Sequence, residues 1–320
     1  MRESRCDILI IGAGPAGMAT ALELRKLGID SIRILEREGE AGGIPRHSFH
    51  IGYGIKDLKR VISGPKYAAR YRSQLKKVGH SIETEAIVTD WIDEKTVQVT
   101  SPKGIERITA DKIVIASGAR ERNRSARLIA GSRTKGIFTT GSLQQLTYLG
   151  GAKRSGRAVV VGAEHVSFSA VMTLSHLGLR TSAVVTTGKR HETYWPLLVG
   201  AKLLYRFKYY KAVDEIEVIG SKQVEALKFK VGGRETTIPC EYVVFTGNWI
   251  PDNELVRKAG LELDSAKSPL VDSEFRTSKS HIFAVGNATL PIKSADTCAV
   301  QGKKLARIIR DEIKAVPSSR

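Results

Sequence analysis

The sequence predicts an α/β fold of two doubly wound, mostly parallel domains, each carrying a β-meander, with the second domain inserted in the first. Three observations predict it. The same plan of strand, glycine turn, helix and strand occurs twice, opening at Asp7 and again at Arg157. Each copy continues into a meander and closes with an apolar strand that runs into a glycine, Gly118 or Gly247. One more strand and turn, Phe283-Ala284-Val285-Gly286-Asn287, follows the second copy and completes the first. Such strand–helix–strand repeats build parallel sheets through right-handed crossovers. The expected boundaries are 1–121 with 250–320 for the split domain and 122–249 for the insert.

The first copy begins with the apolar run Asp7–Ile11. A helix is expected from Pro15 to Leu27, with proline early and Gly28 just past the end, the usual asymmetry of helix ends. The strand Ile32–Glu36 follows. Ile82–Val88, Val97–Thr100 and Ile105–Ala110 alternate and break at turn residues, as a meander does, and Lys112–Ser117 is the closing strand. In the second copy the corresponding elements are Arg157–Val161, a helix from His165 to Leu177 stopped by Gly178, Ser182–Val185, the meander Ile216–Ile219, Val224–Val231 and Thr236–Cys240, and the closing strand Tyr242–Phe245. A long helix is expected over Ala295–Ile313.

Bulk composition suits a soluble globular chain: 320 residues, 42% hydrophobic and 26% charged. No run approaches the roughly 18 apolar residues of a membrane span. The opening Met1-Arg2-Glu3-Ser4-Arg5 leads directly into a strand, so a cytoplasmic location is expected, with any membrane association made through partners. Three scattered cysteines, Cys6, Cys240 and Cys298, exclude a dithiol of adjacent cysteines and a cysteine-clamped metal centre within this sequence; no metal site is expected. The formal net charge is +18. Its basic residues are spread over Lys56–Arg60, Lys66–Lys77, Arg120–Lys135 and Lys202–Lys211. They read as a solvated surface or as a match for an acidic protein partner; no nucleic-acid module holds them, and nucleic acid is not an expected partner.

Gly12-Ala13-Gly14-Pro15-Ala16-Gly17 follows a strand, opens a helix and is answered by Glu36 at the end of the next strand. These are the contexts that make G-x-G-x-x-G a dinucleotide signature. Gly12 serves the tight turn, Gly14 the approach of a diphosphate, and Gly17 the close packing of helix on strand. The diphosphate belongs on the helix N-terminus, where Pro15 and Ala16 begin the first turn and the dipole favours anions. Glu36, with Arg37 beside it, faces the ribose. Gly42, Gly43 and Ile44 continue past the ligand, Ile87 and Val88 lie at the end of the first meander strand, and Ser117 and Gly118 end a strand at the carboxyl edge of the sheet, where ligands of such folds collect.

These motifs, with Ile115-Ala116-Ser117-Gly118 and Phe283–Asn287, resemble the FAD-dependent pyridine nucleotide-disulfide oxidoreductase superfamily along essentially the whole chain. The resemblance implies a glutathione- or thioredoxin-reductase-like pair of Rossmann domains and FAD as cofactor. It adds Gly286, Asn287, Ala295, Asp296 and Thr297 to the cofactor-binding set. Asn287 stands where the family usually has Asp. Three finer motifs, Gly42–His47, Thr139–Leu146 and Gly162–Val166, look like the flavin subunit of hydrogen cyanide synthase and of dye-linked proline, hydroxyproline and opine dehydrogenases. That likeness implies an electron-transferring subunit in a heteromeric complex that oxidises an amino acid or amine. The implied partners are a substrate-oxidising flavin subunit, an iron–sulfur subunit, or both. The sequence lacks the redox cysteine pair of the disulfide reductases and the Cys-rich segment common in such subunits, so an iron–sulfur centre is expected on a partner.

The second glycine motif departs from its pattern: Glu164 and Ser167 replace the second and third glycines. A carboxylate repels a diphosphate at close range. If NAD(P)H did bind, Lys189 and Arg190 would favour a 2′-phosphate. The alternatives to the complex subunit are therefore a stand-alone NAD(P)H-dependent flavin reductase and a non-catalytic assembly protein holding FAD. Arg46 and His47, with His50, are the candidate catalytic groups, or else structure of the cofactor loop. Asp296 is either a carboxylate at a helix N-terminus or a flavin contact, Lys293 could reach a flavin carbonyl, and Cys298 is either an activated thiol or a buried one.

Overall fold

The computed structural model describes residues 1–190, 195–290 and 292–315, without the side chain of residue 197. The chain divides into two compact units, Met1–Arg120 with Ile250–Arg320, and Glu121–Trp249.

In the first unit the strand Arg2–Ile11 lies between Ile32–Leu35 and Gly104–Ile115, parallel to both. Ile282–Ala284 adds to the far side of Gly104–Ile115, also parallel. Ile87–Trp91 and Thr96–Ser101 run antiparallel and join the first half of Gly104–Ile115. The expected break between Ile105–Ala110 and the closing strand does not exist. One strand serves both the parallel sheet and the meander, because Arg2–Ile11 pairs with it from Arg2↔Glu106 to Ile11↔Ile115 and carries the ladder across Asp111. The first meander strand also starts later than expected, at Ile87. Residues ahead of it are drawn to the sheet edge instead, where Glu83 and Glu36 exchange backbone bonds with their neighbours.

Side-chain alternation then fills both faces. Ile8 and Ile10 face a core shared with the helices Pro15–Lys26, Gly64–Lys77 and Ala295–Ala315. Leu9 and Ile11 face a second core with Val97, Val99 and Ile113. In the sequence the Gly64–Lys77 segment stands out only as basic, yet it is a helix whose Tyr67, Tyr71 and Leu75, spaced by four, are wholly buried. Helices Pro15–Lys26 and Ala295–Ala315 meet at Gly302, where a Cβ would lie 2.4 Å from the Ala16 carbonyl oxygen.

The second unit has a five-stranded parallel sheet in the order Ile137–Thr139, Tyr242–Phe245, Arg157–Val161, Arg180–Val185, Lys208–Tyr210. Its meander is Val213–Gly220, Val224–Val231 and Arg234–Pro239. The helix His165–Leu177 ends where Gly178 turns left-handed at φ 101°. A further helix, Trp195–Tyr205, precedes the edge strand.

Candidate functional site

Each glycine of the first motif does a different physical job. Gly12, at φ 105°, passes so close to the neighbouring strand that a Cβ would meet the Ala116 carbonyl oxygen at 2.4 Å. Gly17 packs helix on loop, its would-be Cβ 2.0 Å from the Gly12 oxygen. Around the Cβ position of Gly14 there is nothing within 4 Å. Gly14 is the N-cap of the Pro15–Lys26 helix, whose first turn has no side-chain cap and no acidic residue. Open space, free amides and the positive end of the dipole therefore coincide, the arrangement that accepts a diphosphate.

Glu36 is buried and fixed before any ligand arrives. Its Oε2 accepts from the Ala13 amide and its Oε1 from the Glu38 amide, both at 3.0 Å. Each oxygen keeps a lone pair for a ribose hydroxyl. Gly42 donates to the Ala13 carbonyl at 2.9 Å, and Gly43, at φ 58°, brings its Cβ position within 3.1 Å of the Gly14 Cα. Ile44–His47 is a short 3₁₀ turn. Arg46 is paired with Glu38 and lies near Glu40; His47 is buried. Arg37 reaches Asp252 at 2.8 Å, and the Ser117 hydroxyl donates to the Asp252 carbonyl at 2.9 Å. Gly118 has open space at its Cβ position. Ile87 is exposed and Val88 buried.

In the tail, Gly286 is pressed against helix Pro15–Lys26, its Cβ position 2.7 Å from the Ala16 Cβ. The Asn287 side chain staples its own loop, donating to the Lys293 carbonyl at 3.0 Å and accepting from the Lys293 amide at 2.8 Å. The Thr297 amide and hydroxyl meet Ser294 Oγ at the start of the helix that Ala295 opens. Asp296 is in the first turn and buried. Its two oxygens accept from the amides of Gly54 and Lys56 at 2.7 and 2.9 Å, so it clamps that loop. Asp57, three residues on from Gly54, is enclosed by the hydroxyls of Tyr67 and Tyr71 and by Lys303. Sequence reasoning missed Asp57; its tyrosine partners lie 10 and 14 residues on, in a helix the sequence marks only as basic, and Lys303 is 246 positions away. Cys298 is buried, and burial pushes its thiol up to about 11, which makes it a packing residue at neutral pH. Burial pushes the Lys293 ammonium down.

The corresponding place in the second unit is filled by the protein itself. Glu164 caps the His165–Leu177 helix in position but folds its carboxylate back. Its Oε2 accepts from Ser167 and Thr246 hydroxyls, each at 2.9 Å. A Cβ on Gly247 would lie 2.4 Å from Glu164 Oε1, and one on Gly162 2.7 Å from Oε2. Glu121, half-buried, also reaches Gly247. It accepts from the amides of Gly141 and Gly247 at 2.9 and 3.1 Å, and burial raises its carboxyl. Arg127 donates to the Gly247 carbonyl at 2.7 Å and offsets the charge of both carboxylates. Nothing in the local sequence marks Glu121.

The chain is similar to a subunit of the opine oxidase of Agrobacterium tumefaciens (strain Ach5), at 26% identity over 97% of this chain and 66% of that one. With its Rhizobium meliloti counterpart the figures are 27%, 93% and 61%, so the chain spans at most about two thirds of these relatives' length. It is also similar, at 25% identity over 92% and 94% of the two chains, to a ferredoxin–NADP reductase of Ignicoccus hospitalis. Among solved structures, T. acidophilum thioredoxin reductase shares the fold with a TM-score of 0.81, at 19% identity over 97% of this chain and 99% of that one. An open diphosphate cradle with a preset ribose carboxylate fits the FAD that this fold carries, and the family matches over residues 6–302: the chain belongs to the pyridine nucleotide-disulphide oxidoreductase family and is an FAD-dependent oxidoreductase.

Proposed function

We propose that this chain is the electron-transferring flavin subunit of a heteromeric dehydrogenase acting on an amino acid or amine of the opine, proline or hydroxyproline type. One observation carries the reading: the two glycine loops differ in what occupies them. The space at Gly14 is open, whereas the space between Gly162 and Gly247 holds the Glu164 carboxylate. A second dinucleotide would have to displace a carboxylate from two hydroxyl donors and then lie against its charge, so electrons reach this chain by another route than NAD(P)H. The similarity to the opine oxidase subunits supports the substrate class.

FAD, when bound, supplies the redox chemistry, and the protein positions and tunes it. The amides after Gly14 would hold the diphosphate and Glu36 the ribose, with Arg37, Gly42, Gly43, Ile44, Ile87, Val88, Ser117 and Gly118 along the same edge. Gly286 and Asn287 would shape the tail loop. The N-terminus of the Ala295–Ala315 helix would place its positive dipole toward negative charge at the flavin end. Arg46 and His47 act in this reading through the loop they hold: Arg46 ties it to Glu38 and is neutralised there.

Isolation of the native protein under mild conditions, with identification of what accompanies it, tests the proposal. The expected result is a yellow complex that reduces an artificial dye with an amino acid or amine. A lone yellow chain that reduces the dye with NADPH would overturn it. That second reading draws on Lys189 and Arg190, both exposed just past a sheet strand, where a 2′-phosphate would lie.

A further inference from the structure

The helix Trp195–Tyr205 is apolar on both sides. One side packs inward through Leu198, Ala201 and Tyr205 onto the core of the second unit. The other carries Trp195, Val199 and Leu203, spaced by four and therefore on one face, with Leu204 beside them. These four are 66%, 43%, 74% and 71% exposed. A helix apolar all round normally lies buried, so this outward face is one that something covers.

The charge of the stretch that contains this helix is one-sided. Residues 187–212 contain six lysines and arginines, Lys189, Arg190, Lys202, Arg206, Lys208 and Lys211, against a single acid, Glu192. All six cations are exposed. Glu192 lies outside the described residues. The covering surface is therefore anionic. Four of the six cations are lysine, which protein interfaces deplete, and the apolar face starts with tryptophan and continues with leucine. Tryptophan and leucine on one side, with lysine and arginine around them, is the composition of helices that lie in the plane of an anionic membrane interface. No helix among the described residues is long and apolar enough to cross a membrane, so the contact is one of lying on the surface. We propose that the Trp195–Leu204 face docks this protein onto an anionic phospholipid bilayer, with Leu203, Leu204 and Trp195 entering the headgroup–acyl boundary and Lys202 and Arg206, on the helix and at its end, resting on lipid phosphates. This does not depend on which donor serves the flavin.

Vesicle sedimentation of the FAD-loaded protein tests it directly. Vesicles of phosphatidylcholine alone should leave the protein in the supernatant, and vesicles that include phosphatidylglycerol should pellet it, less so at high salt. Brominated acyl chains should quench its tryptophan fluorescence, and W195F should lose most of that quenching while still pelleting. L203E/L204E and K202E/R206E, both exposed substitutions, should each weaken pelleting by about tenfold or more with flavin content unchanged. Failure of the wild-type protein to pellet with phosphatidylglycerol overturns the proposal, as does pelleting unaffected by L203E/L204E. If the wild-type protein ignores both vesicles but L203E/L204E loses a stoichiometric acidic protein companion, the face belongs to a protein and the lipid reading fails. Retention of flavin in every arm separates these outcomes from a failure of the FAD assignment.

Discussion

Thr246 Oγ1 donates to Glu164 Oε2 at 2.9 Å, and through this bond the second glycine loop is closed by a residue of its own motif. Ser167 donates to the same oxygen at 2.9 Å and meets Thr246 at 2.7 Å. Both substituted motif positions thus hold each other in place. E164G removes the plug and the charge together. Calorimetry should find no heat of NADPH binding to the wild-type protein and measurable binding to E164G. Equal affinity in both would show that Glu164 does not decide access.

Two glycines of the first motif, Gly14 and Gly17, should separate binding from folding. Gly14 has open space for a Cβ and an ordinary φ of −78°, so Gly14→Ala should fold, its apoprotein Tm lowered only by the weaker N-cap. It should lose FAD affinity by about 100-fold, or ~2.7 kcal/mol, because the added methyl group occupies the cradle. Gly17→Ala drives a methyl group against the Gly12 carbonyl oxygen and should cost roughly 1–3 kcal/mol of stability outright. Fluorescence titration with FAD, beside thermal melts of the apoprotein, checks both.

Much of this is legible in the sequence, and the limit is instructive. The tight turn at Gly12 and the close packing at Gly17 follow from local spacing, and the His165–Leu177 helix follows from its place after a glycine turn and its stop at Gly178. The fold-back of Glu164 does not, since its acceptor role needs Thr246, 82 positions away. Asp296 is expected at a helix start and is there, but its hold on Gly54 and Lys56 arises only when the tail returns to the first unit. The strand Gly104–Ile115 is continuous, although Asp111 and Lys112 interrupt its apolar pattern and divide it on sequence alone. Pairing with Arg2–Ile11 outweighs that local signal.

Arg46 offers a test of positioning against chemistry. Because it is paired with Glu38 beside Glu40, Arg46→Ala should loosen the Gly42–His47 loop. Flavin content after dialysis should fall, while turnover per bound flavin stays at the wild-type level. A drop in turnover per flavin would place Arg46 at the reacting atoms.

A cluster in the first unit sets an acid limit. Arg33 bonds Glu106 at 2.8 Å and Glu83 at 2.6 Å, and its hydrogen bond holds the Glu106 carboxyl down from 4.5 to about 2. A carboxyl lowered on folding contributes stability above its ordinary value and loses it as pH falls through the folded one. Urea midpoints should therefore drop between about pH 4.5 and 2, and R33M should flatten that drop.

The three thiols set the alkaline limit. Burial pushes Cys6 and Cys298 up to about 11 and Cys240 up to about 12. Native protein should not react quickly with a thiol reagent near neutral pH, and unfolded protein should release three thiols. A group raised on folding stabilises fully below its unfolded value, so stability should fall as pH rises from about 9 toward 11.

The measurement that bears most directly on the open and the closed loop is an anaerobic titration of the yellow protein with NADPH, NADH and amino acids, followed by flavin absorbance. The expected record is an intact oxidised flavin spectrum with either nicotinamide, and bleaching by an amino acid or amine once the native partner is added. Rapid bleaching by NADPH alone, or a protein with no flavin spectrum to follow, would contradict the account.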